Sequence, residues 1–315
     1  FDLDASANLR NKYPALQVKM QLDTINLHAL NLVADTVAFH ARIDATIPVA
    51  DPDSLNGKIF VNDIRFTAAG RSMHADSIVV ISSADALADS LHLYVAGALR
   101  ADLTGKYQLT KLVPSIEKTI SQYYHLASAD TVGDIAEQHF QFHAVAEPNS
   151  TLLQFVPALN GSDTIVLDGQ YNSSTARLDA SLRSRKVVYN DLQADSINIF
   201  ANSASRGFLF GLELQNARSN SFNLHQTALR GILANNQANF FLDIKDSKKQ
   251  SQYSFGGLLR QVPAGVRFTM RPDSLILNYE PWSMTADNYI QYDSSGLLVY
   301  HFKLSSNEQS LSINS

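Results

Sequence analysis

The sequence predicts an all-β fold: a long, curled, mainly antiparallel sheet with one or two short helices. Two observations carry this. The tripeptide Asp-Ser/Thr-aliphatic occurs nine times, each time where an alternating apolar and polar run begins or resumes. The segments around it alternate with period two, the signature of a strand with one buried face. The nine copies begin at Asp23, Asp35, Asp53, Asp76, Asp89, Asp130, Asp163, Asp195 and Asp273. Asp followed by Ser or Thr reads as a turn, because both side chains hydrogen-bond nearby backbone. The β-branched or leucyl residue after them suits a pleated strand.

The cleanest strand runs from Val37 to Val49, with Val37, Phe39, Ala41, Ile43, Ala45, Ile47 and Val49 on one face. Pro48 donates no ladder hydrogen bond, so the strand is expected to end or lie at an edge there. Similar sets start at Leu16, Leu91, Phe140, Leu178, Phe208, Phe240, Val266 and Leu275. Two stretches break the period. Leu112, Val113, Ile116, Ile120, Tyr123 and Tyr124 fall at helical spacing, with Pro114 tolerable in the first turn. Leu152, Leu153, Val156 and Leu159 suggest a shorter helix, capped by Asn149 or Ser150 and ended or kinked at Pro157. Residues 127–138 read as a linker. The whole chain is expected to be one elongated segment, with a possible sub-boundary near 110–160.

Composition narrows the function classes. Charged residues are 17% of 315, below the roughly 25% of an ordinary soluble domain. A net charge of −5 and the lack of a basic stripe argue against nucleic acid. There is no cysteine, which removes disulfides, thiol catalysis and Cys-based zinc sites. No run of about 18 apolar residues spans a bilayer as a helix. The chain opens at Phe1 and stops within polar sequence at Ser315, so it is expected to be a piece of something longer.

No catalytic constellation stands out. A nucleophile elbow, a phosphate-cradling Gly loop and a His-Glu-x-x-His pair are all missing from the sequence, so neither an enzyme nor a cofactor is expected. His139 and His143 would share the polar face of a strand, with only Glu137 and Glu147 nearby as further ligands, and no metal is expected. Asp51 and Asp53 flank Pro52 and read as a turn.

A strand every 13–15 residues or so gives roughly 20–24 strands, and at about 4.8 Å each a single flat sheet would be ~100 Å long. Open sheets rarely exceed ~10 strands without curling. Such a sheet should fold along its length into a trough with the apolar face inside.

The run Asp53-Ser54-Leu55-Asn56-Gly57-Lys58-Ile59-Phe60-Val61, then Ile64-Arg65-Phe66 and Gly70 to Val80, resembles the repeats of TamB-like translocation and assembly proteins. Gly169-Gln170-Tyr171-Asn172 followed by Leu178-Asp179-Ala180 has the same character. These proteins belong to the AsmA-like superfamily, and the style is that of its Bacteroides-group members. The resemblance is one of texture over the whole chain. It implies a periplasmic β-taco groove, inner-membrane anchored through regions outside this piece, which carries phospholipid acyl chains towards an Omp85-class outer-membrane partner. Lining the groove would be Val37, Phe39, Ile43, Ile47, Leu93, Val95, Phe140, Phe142, Phe208, Phe210, Leu212, Phe240, Leu242, Phe268 and Leu277. The tripeptide also resembles an O-glycosylation acceptor of such bacteria, which implies glycans at positions such as Thr36, Ser77 or Ser196. The rival expectation is a surface β-sandwich with a closed core that binds carbohydrate or protein.

Overall fold

The computed structural model describes residues 2–26, 37–68, 71–126, 133–262, 265–307 and 309–313. It is mostly strand, antiparallel, and not closed into a barrel. Two compact units divide the chain. The first comprises Phe1–Val113, Ile135–Ser174 and Val188–Asn190; the second comprises Pro114–Asp134, Thr175–Val187 and Asp191–Ser315.

In the first unit, nine strands follow one another: β1 (Asp2–Asn8), β2 (Ala15–Asn26), β3 (Val37–Val49), β4 (Asn56–Ala68), β5 (Arg71–Ala84), β6 (Asp89–Val95), β7 (Leu99–Lys106), β8 (His139–Ala146) and β9 (Ile165–Asn172). Each pairs antiparallel with the next from β1 to β9. Pro48 is accommodated inside β3 by a bulge, where the pairing skips from Thr46↔Lys58 to Val49↔Asn56. The strand therefore runs one residue past the proline.

The second unit holds β10 (Arg177–Tyr189) up to Val187, β11 (Leu192–Ala204), β12 (Gly207–Arg218), β13 (Asn223–Ala234), β14 (Gln237–Lys245) and β15 (Ser251–Val262). Seven shorter strands follow: β16 (Gly265–Met270), β17 (Leu275–Leu277), β18 (Glu280–Met284), β19 (Tyr289–Asp293), β20 (Gly296–Tyr300), β21 (Phe302–Ser306) and β22 (Gln309–Ile313). From β11 to β15 the pairing is sequential. β15 then forks, pairing with β16 through Gly257–Val262 and with β17 through Tyr253 and Ser254. One branch continues to β19 and β20, and the other to β18, β21 and β22.

Both expected helices form. The first, α1, covers Leu112–Ser121 and buries Ser115 and Thr119. The second, α2, covers Ser150–Phe155; its N-cap is Asn149, whose side chain accepts from the N–H groups of Thr151 and Leu152. It ends before Pro157, which opens a 3-10 turn.

The Asp-Ser/Thr tripeptide has two structural meanings. Asp53-Ser54, Asp163-Thr164 and Asp273-Ser274 precede strands, as a turn element should, and Asp89-Ser90 opens β6. Three other copies lie inside strands. In β2 the pairing slips between Leu22 and Ile25, across Asp23-Thr24. In β5, Ala75 and Ile78 pack in one cluster on either side of Asp76-Ser77. In β11, Ser196-Ile197 drops out of the ladder between Asp195↔Asn216 and Asn198↔Glu213, with Ser196 at φ 54. The copies at Asp35 and Asp130 lie outside the described residues. A long strand that bends must lose phase somewhere, and short polar residues tolerate the left-handed or bulged backbone this needs. Ser196→Val is therefore expected to destabilise the protein by about 1–2 kcal/mol in chemical denaturation, because a β-branched residue resists positive φ. Strand propensity alone predicts the opposite sign.

Candidate functional site

Register gives each unit one continuous apolar face. Across β2 to β9, Val18, Ala45, Ile59, Val80, Leu93, Ala101, Ala144 and Leu167 stand opposite one another in turn. A second row beside it is Met20, Ile43, Val61, Ile78, Val95, Leu99, Ala146 and Ile165. In the second unit, Phe208, Leu233, Ala238, Leu259, Phe268, Ile290 and Val299 form such a row across β12 to β16, β19 and β20. Leu212, Leu229, Leu242 and Phe255 form another.

The opposite face of the first unit carries a polar row, His92, Asp102, His143 and Asp168. His92 and His143 each place Nδ1 2.6 Å from the carboxylate of their neighbour, Asp102 and Asp168. His139 stands opposite Lys106 and Asn172 and is not drawn into this row. On the same unit, Asp63 lies below the usual carboxylate range, chiefly through its hydrogen bond with His40 and also through the charge of Arg65. No group of three or more His, Asp or Glu able to hold a metal occurs among the described residues.

The apolar face is incompletely covered. Ile43, Ile47, Leu93, Val95, Phe142, Phe210, Leu212, Phe240, Leu242 and Phe268 are all half-buried, as is Phe39. Its most deeply buried members in β3 and β5 are small: Ala41 and Ala75, at 0% and 1% exposure. Among the described residues, the polar amides Gln138 and Asn288 are as deeply buried, and Phe208, Leu275 and Phe140 are buried in local clusters.

Several rings of this face lie over glycines. Phe210 stands opposite Gly231, and Phe240 opposite Gly257. A Cβ at Gly231 would meet the Phe210 ring, and one at Gly257 would meet Phe268 and, at 2.8 Å, Phe240. The Phe240 and Phe268 rings stack at 6.0 Å and 18°. Glycine lets each ring lie flat on the sheet and covers its exposed backbone.

Two expected lining residues, Phe140 and Phe208, are corrected by their surroundings. Phe140 is 5% exposed, enclosed by Tyr107, Phe142 and Tyr171 with ring centroids 6.4, 6.2 and 5.1 Å away. Burial pushes the Tyr107 phenol up to about 12, with the charge of Asp89 adding to it, so this lid stays neutral. Phe208 is 4% exposed beneath Tyr123, 5.9 Å away. The turn after α1 is pinned over the second unit, since Asn236 N–H donates to the Tyr123 carbonyl and Gln261 Nε2 to that of His125. Leu277 is half-buried beside the cluster Leu275, Met284 and Leu304, as Phe39 and Ile43 are beside Ala41, Ile64 and Ala75. None of the covering residues had a local sequence signal, because partners from distant strands or a helix supply the lid. Val37 opens β3. Of the three candidate glycan acceptors, Ser196 is exposed, Ser77 is half-buried, and Thr36 lies outside the described residues.

Among the described residues, no helix is long and apolar enough to cross a membrane. No family model matches the chain, and no curated protein or solved structure is significantly similar to it.

Proposed function

We propose that this chain is a lipid-carrying segment of the cell envelope, which shelters phospholipid acyl chains along the apolar face of its sheet. The observation that supports this best is a continuous apolar face in each unit whose Phe, Ile and Leu side chains stay partly exposed. Such a face gains about 0.8 kcal/mol for each methylene it removes from water. Contacts repeated strand after strand hold a chain without trapping it, so the lipid slides while its head group stays in solvent. The binding residues are Phe39, Ile43, Ile47, Leu93, Val95 and Phe142 in the first unit, and Phe210, Leu212, Phe240, Leu242 and Phe268 in the second. In this reading the protein works in the periplasm, anchored to the inner membrane and meeting an Omp85-class outer-membrane protein through regions beyond this piece. Glycans on Asp-Ser/Thr sites would sit on the solvent side, with Ser196 the best placed of the candidates.

Purified protein extracted with organic solvent is expected to release phospholipid in at least stoichiometric amount, read by mass spectrometry. A protein that is folded, monomeric and lipid-free overturns the proposal in favour of a binding module with a closed core.

A further inference from the structure

We infer that the second unit binds a neutral, hydroxyl-rich ligand, a short stretch of carbohydrate, in a cleft formed beside β14, β15, β17, β18 and β21. The cleft has a volume of about 770 Å³ and is walled by Phe241, Trp282, Asp243, Asp273 and Asn307 together with several serines. That size falls in the range of small-ligand sites, roughly 300–1,000 Å³.

Leu275, Ile276 and two prolines add apolar wall, and the polar groups between them are mainly acceptors. Three of the wall serines spend their protons on backbone: Ser254 Oγ donates to the Ser274 carbonyl at 3.1 Å, Ser283 Oγ to that of Ser305 at 3.1 Å, and Ser306 Oγ to that of Pro281 at 2.9 Å. A hydroxyl whose proton is spent in this way offers only acceptor lone pairs, although Ser254 is 4% exposed and Ser283 Oγ also meets Ser305 Oγ at 2.8 Å. Two carboxylates add to this, and Oδ1 of Asp243 is buried with no hydrogen-bond partner. The other oxygen of Asp243 has Lys245 Nζ 3.6 Å away, but no Lys or Arg is among the residues lining the cleft. An anion therefore finds no counter-charge and meets two carboxylates. A single ammonium is a point charge and would satisfy one or two acceptors, leaving the others dry and unmatched. A polyol carries donors spread along its length, which suits acceptors spaced around a wall. Its C–H faces pack on aromatic rings, and Asn307 supplies the one side-chain amide that both donates and accepts. This inference stands independently of the lipid-carrying face.

Trp282 is the only tryptophan in the chain, so tryptophan emission from the whole protein reports on the surroundings of this one wall residue. Titration with neutral trisaccharides of glucose, mannose and N-acetylglucosamine is expected to give a saturable emission shift with at least one of them. Asp273→Ala and Asn307→Ala, each checked for unchanged circular dichroism, are expected to weaken that binding by about tenfold, the effect of losing one good polar contact. Three results overturn the inference. One is a flat response to every trisaccharide up to about 10 mM, beyond which affinity is negligible. Another is a saturable response to spermidine alone, which makes the cleft an ammonium site. The third is a sugar response that survives both substitutions, which places the sugar elsewhere.

Discussion

Phe210→Glu is expected to empty the second unit of bound lipid while leaving the protein folded, whereas Phe208→Glu, two residues away on the same face, is expected to unfold it. Phe210 is half-buried on the face, its ring lying over Gly231. Without lipid, a carboxylate there remains in water and costs the fold only part of the roughly 1.5–3 kcal/mol that a fully buried Phe contributes. With lipid it must be desolvated against acyl chain, which costs several kcal/mol and outweighs the gain from several methylenes at about 0.8 kcal/mol each. Phe208 is 4% exposed beneath Tyr123, and a carboxylate forced into that contact has no partner. The cost then approaches the whole 5–15 kcal/mol that holds an ordinary domain together. Lipid per protein and thermal unfolding, measured on both variants, check the pair. If Phe210→Glu unfolds like Phe208→Glu, the face around Phe210 is a closed core and the lipid reading fails.

Gly257→Val is expected to lower stability by about 3 kcal/mol, the upper end for an overpacked site, and Tm by on the order of 10 °C. The cause is steric. The added Cβ would enter the Phe268 ring and come within 2.8 Å of Phe240, so the stacked pair must leave the sheet surface. Gly133→Ala is the control: a Cβ there meets nothing within 4 Å and should change stability by no more than about 0.5 kcal/mol. Adding Phe268→Leu to Gly257→Val should restore part of the loss, a coupling that a double-mutant cycle measures directly. Additive effects would show that the ring does not rest on this glycine.

Much of the architecture could be read from local pattern. Alternation over Val37–Val49 placed β3, although the bulge that carries Pro48 belongs to its pairing with β4. Helical spacing located α1, and the Asn149 cap located α2. The Asp-Ser tripeptides were only half legible. As turns they follow from composition, but Asp76-Ser77 and Asp195-Ser196 sit inside strands, where a change of phase matters only because a paired neighbour must match it.

The candidate face divides along the same line. Period-two spacing selected Phe140, Phe142, Phe208, Phe210 and Leu277 alike, since each alternates correctly within its own strand. Whether such a residue is open or covered depends on what arrives from elsewhere: Tyr107 and Tyr171 for Phe140, and Tyr123 for Phe208. Likewise, the glycines beneath Phe210 and Phe240 come from neighbouring strands. Local preference settles the strands, their amphipathic sides and the helix caps, because those depend on residues a few positions apart. Cover, register and the cleft around Trp282 arise from groups tens of residues apart, whose meeting is set by the pairing of whole strands.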